Sequence, residues 1–177
     1  MNSSMNNSLR YASAGQIELR VDYMDVYSAT FFAPCQIVVE SSVKQFFFSI
    51  PRFFIGLLWI REVIGKRLGL KTAKGKTATL GEIERFKGQI GDRIALFHVW
   101  DRQANAIVTG QRDKHLDFVL VFTLTNHGRQ HTLELTTAVQ INSGLGRIYL
   151  WAVKPIHWVL MPILLKRLCH RLSKGCY

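Results

Sequence analysis

From Val21 to Phe32 the chain alternates in twos, with Tyr23, Asp25, Tyr27, Ala29 and Phe31 on one side and Met24, Val26, Ser28, Thr30 and Phe32 on the other. A two-residue period rich in aromatic and branched side chains predicts a β-strand. Ala33-Pro34 ends it, and Pro34 suits the first turn of a short helix in which Ile37, Val38, Ser41, Ser42 and Gln45 keep helical spacing. Pro51, with Ser49 as a cap, opens a second helix whose Phe54, Leu57, Leu58, Arg61 and Ile64 recur at three and four, stopping near Gly69. Thr72 to Gly88 is polar and punctuated by glycine, which reads as a loop or a weak edge strand.

The two-residue period returns after Asp92. Ile94, Leu96, His98 and Trp100 oppose Arg93, Ala95, Phe97 and Val99, and turn residues between Asp101 and Asn105 lead into a short strand at Ala106 to Thr109. The next strand has a wholly apolar face of Leu116, Phe118, Leu120, Phe122 and Leu124, set against His115, Asp117, Val119, Val121 and Thr123. Asn126-His127-Gly128-Arg129 turns it back into a strand from Thr132 to Ile141. After Asn142-Ser143-Gly144 the period is helical to the end. Leu145, Ile148, Tyr149, Ala152, Ile156, Val159, Leu160, Ile163 and Leu164 make one stripe, and Trp151, Trp158, Leu165 and Leu168 a second. Pro155 and Pro162 should kink that helix. The fold class expected is α+β: an antiparallel sheet with a single apolar face, covered by one long C-terminal helix.

At 177 residues this is one domain's worth of chain. The boundaries expected are a polar, mobile leader over 1–20, a single domain over 21–173 and a tail over 174–177. Two apolar stretches fail as membrane spans. Phe46 to Ile60 is interrupted by Ser49, Pro51 and Arg52, and Leu145 to Leu165 carries Lys154 and His157 near its middle, where a charge in lipid costs ~2.5 kcal/mol or more. Three cysteines without metal-ligand spacing indicate neither a disulfide framework nor a zinc site, and no cofactor is expected. A reducing, cytoplasmic setting follows, with membrane association.

The net charge of +11 is unevenly distributed. No acid follows Glu134, while Arg147, Lys154, Lys166, Arg167, Arg171 and Lys174 do, and Lys71, Lys74 and Lys76 form a smaller cluster. Such a segment suits an anionic membrane surface, where each basic residue contributes ~1 kcal/mol. Nucleic acid ranks lower, because the basic positions are not interleaved with stacking aromatics and no recognition-helix pattern follows. A homo-oligomer is compatible with the sequence.

Several fragments resemble a family of mostly bacterial proteins of unknown function. They are Asp22-Tyr23-Met24-Asp25, Leu68-Gly69-Leu70-Lys71, Arg112-Asp113-Lys114-His115-Leu116-Asp117-Phe118, and Leu145-Gly146-Arg147-Ile148-Tyr149-Leu150 continuing to Lys154-Pro155-Ile156-His157. The chain departs from that pattern at Ile156, where an aromatic is usual, and at Val119, where an arginine is. The resemblance covers roughly Val21 to Leu172 and implies a START-like, helix-grip (SRPBCC) fold, in which a curved antiparallel sheet wraps a long C-terminal helix. It also implies a space between sheet and helix that holds an apolar ligand. The residues expected to line it are Leu96, Trp100, Leu116, Phe118, Leu120, Phe122, Tyr149, Ala152 and Ile156.

His115 and Asp117 are the polar candidates for chemistry, about 6 to 7 Å apart along one strand face. Strand alternation sends both away from the helix. The first reading is therefore a non-enzymatic module that binds a small apolar or lipid-like molecule, placed at an anionic membrane surface. The alternative is a cyclase- or hydratase-like enzyme using His115 and Asp117. His98, His127 and His131 show no convergent metal-ligand spacing.

Overall fold

The computed structural model describes residues 8–11, 17–50 and 80–175. Two short strands come first, β1 (Ser8–Tyr11) and β2 (Ile17–Arg20), paired with each other. They are followed by β3 (Tyr23–Phe32), α1 (Val39–Ser49), α2 (Leu80–Arg85), β4 (Arg93–Ile94), β5 (Phe97–Arg102), β6 (Ala106–Gln111), β7 (Leu116–His127), β8 (Gln130–Ile141) and α3 (Gly144–Lys174). The main sheet is antiparallel throughout, in the order β3-β8-β7-β6-β5-β4. The architecture is α+β, a six-stranded curved sheet with a long C-terminal helix.

Register explains the core. Tyr27 on β3 lies opposite Leu135 on β8, Leu135 opposite Phe122 on β7, and Phe122 opposite Ile107 on β6, so one row of inward side chains crosses four strands. Leu120, Phe122, Leu124, Leu133 and Leu135 are fully buried on this inner face, against Val43, Phe46 and Phe47 of α1 and Leu160, Leu164, Leu165, Leu168 and Leu172 of α3. The sheet is not apolar on one side only. Val108, Val119, Val121 and Ala138 form a second, smaller buried cluster on the outer face with Val21.

Several expectations from the sequence are corrected. The first helix starts at Val39, not Pro34, because tertiary bonds hold the preceding stretch extended: Ala33 N–H donates to the Arg129 carbonyl (3.0 Å) and Asn126 Nδ2 to that of Ile37 (3.0 Å). Leu80–Arg85 is helical rather than loop, since Ile83 and Phe86, three apart, are both buried in the core. The single strand expected beyond Asp92 is broken at Ala95, which takes a positive φ of 54° in the turn between β4 and β5. At the expected boundary between leader and domain, Arg20 bonds to the sheet, its backbone N–H donating to Gln140 Oε1 (2.9 Å) and its guanidinium to the Ile141 carbonyl (3.1 Å). The helix expected over Pro51 to Gly69 and the Lys71–Lys76 cluster lie outside the described residues. Cys35 takes part in a disulfide, which the cysteine spacing did not indicate, while Cys169 is free and buried.

Helix α3 starts at a tightly built joint. The Ser143 hydroxyl caps it by accepting from Gly146 N–H (3.2 Å) and lies 2.8 Å from His115 Nδ1. Gly146 packs directly on the His115 carbonyl, so closely that a Cβ there would fall 2.1 Å from that oxygen. The helix then runs through Pro155 and Pro162 as one element, and only its second half is buried deeply.

Candidate functional site

Along β3 the inward set Tyr23, Asp25, Tyr27, Ala29, Phe31 contains one carboxylate among residues that otherwise face the core. Asp25 is largely withdrawn from solvent. Its Oδ2 accepts from Tyr23 O–H (2.7 Å) and lies 2.8 Å from His157 Nδ1 on α3, with side-chain exposures of 12% for Asp25 and 15% for His157. Tyr23 Oη in turn accepts from Trp158 Nε1 (3.0 Å). The Lys154 ammonium sits 4.9 Å from the ring centres of both Tyr23 and Trp158, a cation–π clamp one helical turn from His157. Tyr27 approaches His157 edge-on, with centroids 6.4 Å apart.

The electrostatics favour a charged Asp25. Burial opposes ionisation, but the hydrogen bonds from His157 and Tyr23 outweigh it and hold the carboxyl below its ordinary range. Burial beside that carboxylate pushes both tyrosine hydroxyls upward, so Tyr23 stays protonated and acts as a donor. A carboxylate only accepts, so the Nδ1 of His157 carries a proton and its other nitrogen, Nε2, points away from Asp25. The Nδ1 contact is a charge contact without aligned hydrogen-bond geometry, and Nδ1, Nε2 and Asp25 Oδ1 are all buried without a hydrogen-bond partner.

His115 and Asp117, the pair singled out from the sequence, have different work. His115 is buried between Ser143 and the Asp113 carboxylate, which accepts from its backbone N–H (3.1 Å), and Asp117 Oδ1 accepts from Asp113 N–H (3.0 Å). His115 thus sits at the joint between β7 and α3, and Asp117 bonds back to the loop that precedes β7. Among the described residues no group of three or more His, Cys, Asp or Glu side chains is placed to hold a metal. His131 is buried between Asn126 Oδ1 (2.7 Å from Nδ1) and the Phe31 ring.

The apolar residues expected to line a pocket divide into three. Leu120 and Phe122 are solid core, Phe122 meeting Phe46 edge-on at 5.3 Å. Trp100 is on the wrong face: its ring covers Gly110 and the outer cluster, under the Arg112 guanidinium. The break at Ala95 and the register shift between Val99 and Asp101 change the parity that the sequence pattern assigned it. Leu96 in the β4–β5 turn, Leu116 beside Gly146, Phe118 beside Phe97, and Tyr149, Ala152 and Ile156 on α3 are half-buried. Of the basic set, Arg147, Lys166, Arg167, Arg171 and Lys174 are exposed, while Lys154 belongs to the Tyr23–Trp158 clamp. A shallow hollow of about 300 Å³ at Phe32, Ala33, Pro34 and Arg129 brings no acid–base pair together.

Sequence reasoning missed Asp25, Tyr23 and Tyr27 as site residues and treated His157 only as an obstacle to membrane insertion. The signal was present: a carboxylate on the core-facing parity of β3, and a histidine in a fragment that carries the family resemblance. Those fragments, Asp22 to Asp25 and Lys154 to His157, meet at this site.

A family model described as "Protein of unknown function (DUF2867)" matches residues 18–163, most of the chain and all of this site. The chain belongs to the DUF2867 family. No curated protein and no solved structure matches it. Membership places β2, β3, the sheet and the first two-thirds of α3 within the family unit, and the basic end of α3 beyond it. By length and composition α3 is apolar enough to cross a membrane, as core helices of water-soluble proteins also are. In this DUF2867 chain its midpoint is engaged with β3 through His157.

Proposed function

We propose that this DUF2867 domain binds a small apolar or lipid-like molecule between the inner face of its sheet and the first half of α3, in a START-like, helix-grip arrangement. The supporting observation is the contrast along one sheet face. Leu120, Phe122 and Leu124 are fully buried, with Phe46 of α1 against Phe122, whereas Tyr23, Tyr27, Leu116 and Phe118 on the same face remain half-buried, Tyr23 and Tyr27 beside Trp158 and His157 of α3 and Leu116 beside Gly146 at its start. The order of strand, helix, antiparallel strands and long C-terminal helix supports the same reading. Half-buried aromatics beside a few convergent polar groups are the usual make-up of a small-molecule site. Native mass spectrometry of gently purified protein tests this: an apolar adduct is expected, or uptake of Nile red with a blue-shifted emission. A protein that carries no adduct and leaves the dye unshifted would refute it.

A second observation favours action at an anionic membrane surface. The outward face of α3 presents Trp151, Val159, Ile148 and Ile163 at 79%, 66%, 58% and 40% exposure, with Pro155 and Pro162 between them, followed by exposed Lys166, Arg167, Arg171 and Lys174. Apolar side chains in an interface flanked by basic ones match the chemistry of anionic phospholipid.

A further inference from the structure

Asp25 and His157 form an ion pair with one unused end. Asp25 Oδ2 lies 2.8 Å from Nδ1, which leaves Nε2 on the far side of the ring, and neither buried nitrogen makes an aligned hydrogen bond among the described residues. An orphaned polar atom at such depth lowers stability unless something else bonds to it. The Lys154 ammonium sits one helical turn away with only aromatic faces against it and no carboxylate within ion-pair reach among the described residues. Two positive centres therefore stand beside a single carboxylate that already has two donors.

We propose that His157 Nε2 and Lys154 Nζ receive the carboxylate of an amphipathic acid whose chain occupies the space between sheet and helix. This rests on the ligand-binding reading above and names the class of ligand. With the acid bound, the imidazolium lies between two carboxylates, Asp25 on Nδ1 and the ligand on Nε2, and the charges of Asp25, ligand, His157 and Lys154 cancel. The other groups facing the imidazole are Asp25, Tyr23 and Tyr27 from β3, Lys154 on its own helix and the uncharged Thr137 from β8. A fatty alcohol of equal length offers one weaker hydrogen bond and no charge.

The test compares decanoic acid with decan-1-ol as displacers of Nile red from the full chain between about pH 6 and 8, where imidazoles change charge. The acid should win by about 10- to 100-fold at pH 6, the worth of one charge-assisted hydrogen bond, and its advantage should shrink as the pH rises. His157→Gln should remove the pH dependence and most of the preference for acid over alcohol, both read relative to the variant's own dye uptake. Lys154→Met should weaken the acid at every pH without altering the slope. Equal displacement by acid and alcohol, or an unchanged preference in H157Q, overturns this proposal and leaves the pocket standing. Failure of the wild-type protein to take up the dye or either displacer overturns both.

Discussion

Substituting Gly146 by alanine tests the joint that aims α3 across the sheet. In an unencumbered helix the change stabilises by up to ~1 kcal/mol, because glycine is the poorest helix former after proline. Here the new methyl would lie 2.1 Å from the His115 carbonyl oxygen and 2.9 Å from its carbon, roughly 1 Å inside the 3.0 Å that real Cβ contacts respect. Both atoms are backbone, so neither can rotate away, and the start of α3 must lift from β7. Overpacking of this kind costs ~1 to 3 kcal/mol, with this site at or beyond the upper end. After the propensity gain, a net loss of about 2 kcal/mol remains, or about 4 to 8 °C in Tm for a chain of this size. The control is Gly144→Ala, two residues earlier, where an added Cβ meets nothing within 4 Å. Thermal unfolding followed by circular dichroism should move in opposite directions for the two variants, with G144A neutral or slightly more stable. If G146A is as stable as wild type, the joint is not close-packed and the account of how α3 is positioned fails.

Other outcomes follow from the same geometry. Because Asp25 is held below the ordinary carboxyl range, the stability it contributes is present above the unfolded value of ~3.9 and is lost as pH falls through the lower, folded one. Asp25→Asn should therefore lower Tm at pH 7 and flatten the acid limb below about pH 4, and superimposable acid limbs would contradict the ion pair. Asp117→Ala removes only the acceptor for Asp113 N–H, so it should cost about 1 kcal/mol in urea unfolding and leave dye binding alone; a selective loss of binding would return Asp117 to the site. Trp151→Ser should reduce co-sedimentation with phosphatidylglycerol vesicles and hardly affect Tm, since Trp151 is the most exposed large apolar side chain. Equal sedimentation with pure phosphatidylcholine, insensitive to salt, would rule out the basic end of α3 as a contributor.

Periodicity carried the parts of the fold in which local pattern and tertiary burial agree. Leu116 to Leu124, Thr132 to Ile141 and the C-terminal helix are found where their spacing places them, because each buries the face that its pattern makes apolar. Pattern misled where a single residue reset the parity. Ala95 at positive φ and the register shift after Val99 send Phe97 inward and Trp100 outward, and nothing in the alternation itself announces either. The stripes drawn on α3 failed for a different reason. Its apolar residues go almost all the way round, so periodicity could not separate Leu160 and Leu164, which are buried, from Ile148, Val159 and Ile163, which are not. The polar site was half legible: β3 parity put Asp25 on the inner face, but its partner is more than a hundred residues away, beyond the reach of any local spacing.

That long separation also governs how the chain is made. Among the described residues, strand β3 has its only main-sheet partner in β8, about a hundred residues later, whereas β5 through β8 pair with near neighbours. At ~5 to 20 residues per second, a ribosome leaves the aromatic edge of β3 and the phenylalanines of α1 uncovered for about 5 to 20 seconds. The meander from β5 to β8 can close as it emerges, and the N-terminal third then has to join a sheet already formed. Truncation anywhere before Gln130 strands β3 without a partner, so nascent chains stalled there should bind chaperones and those stalled beyond Lys174 should not.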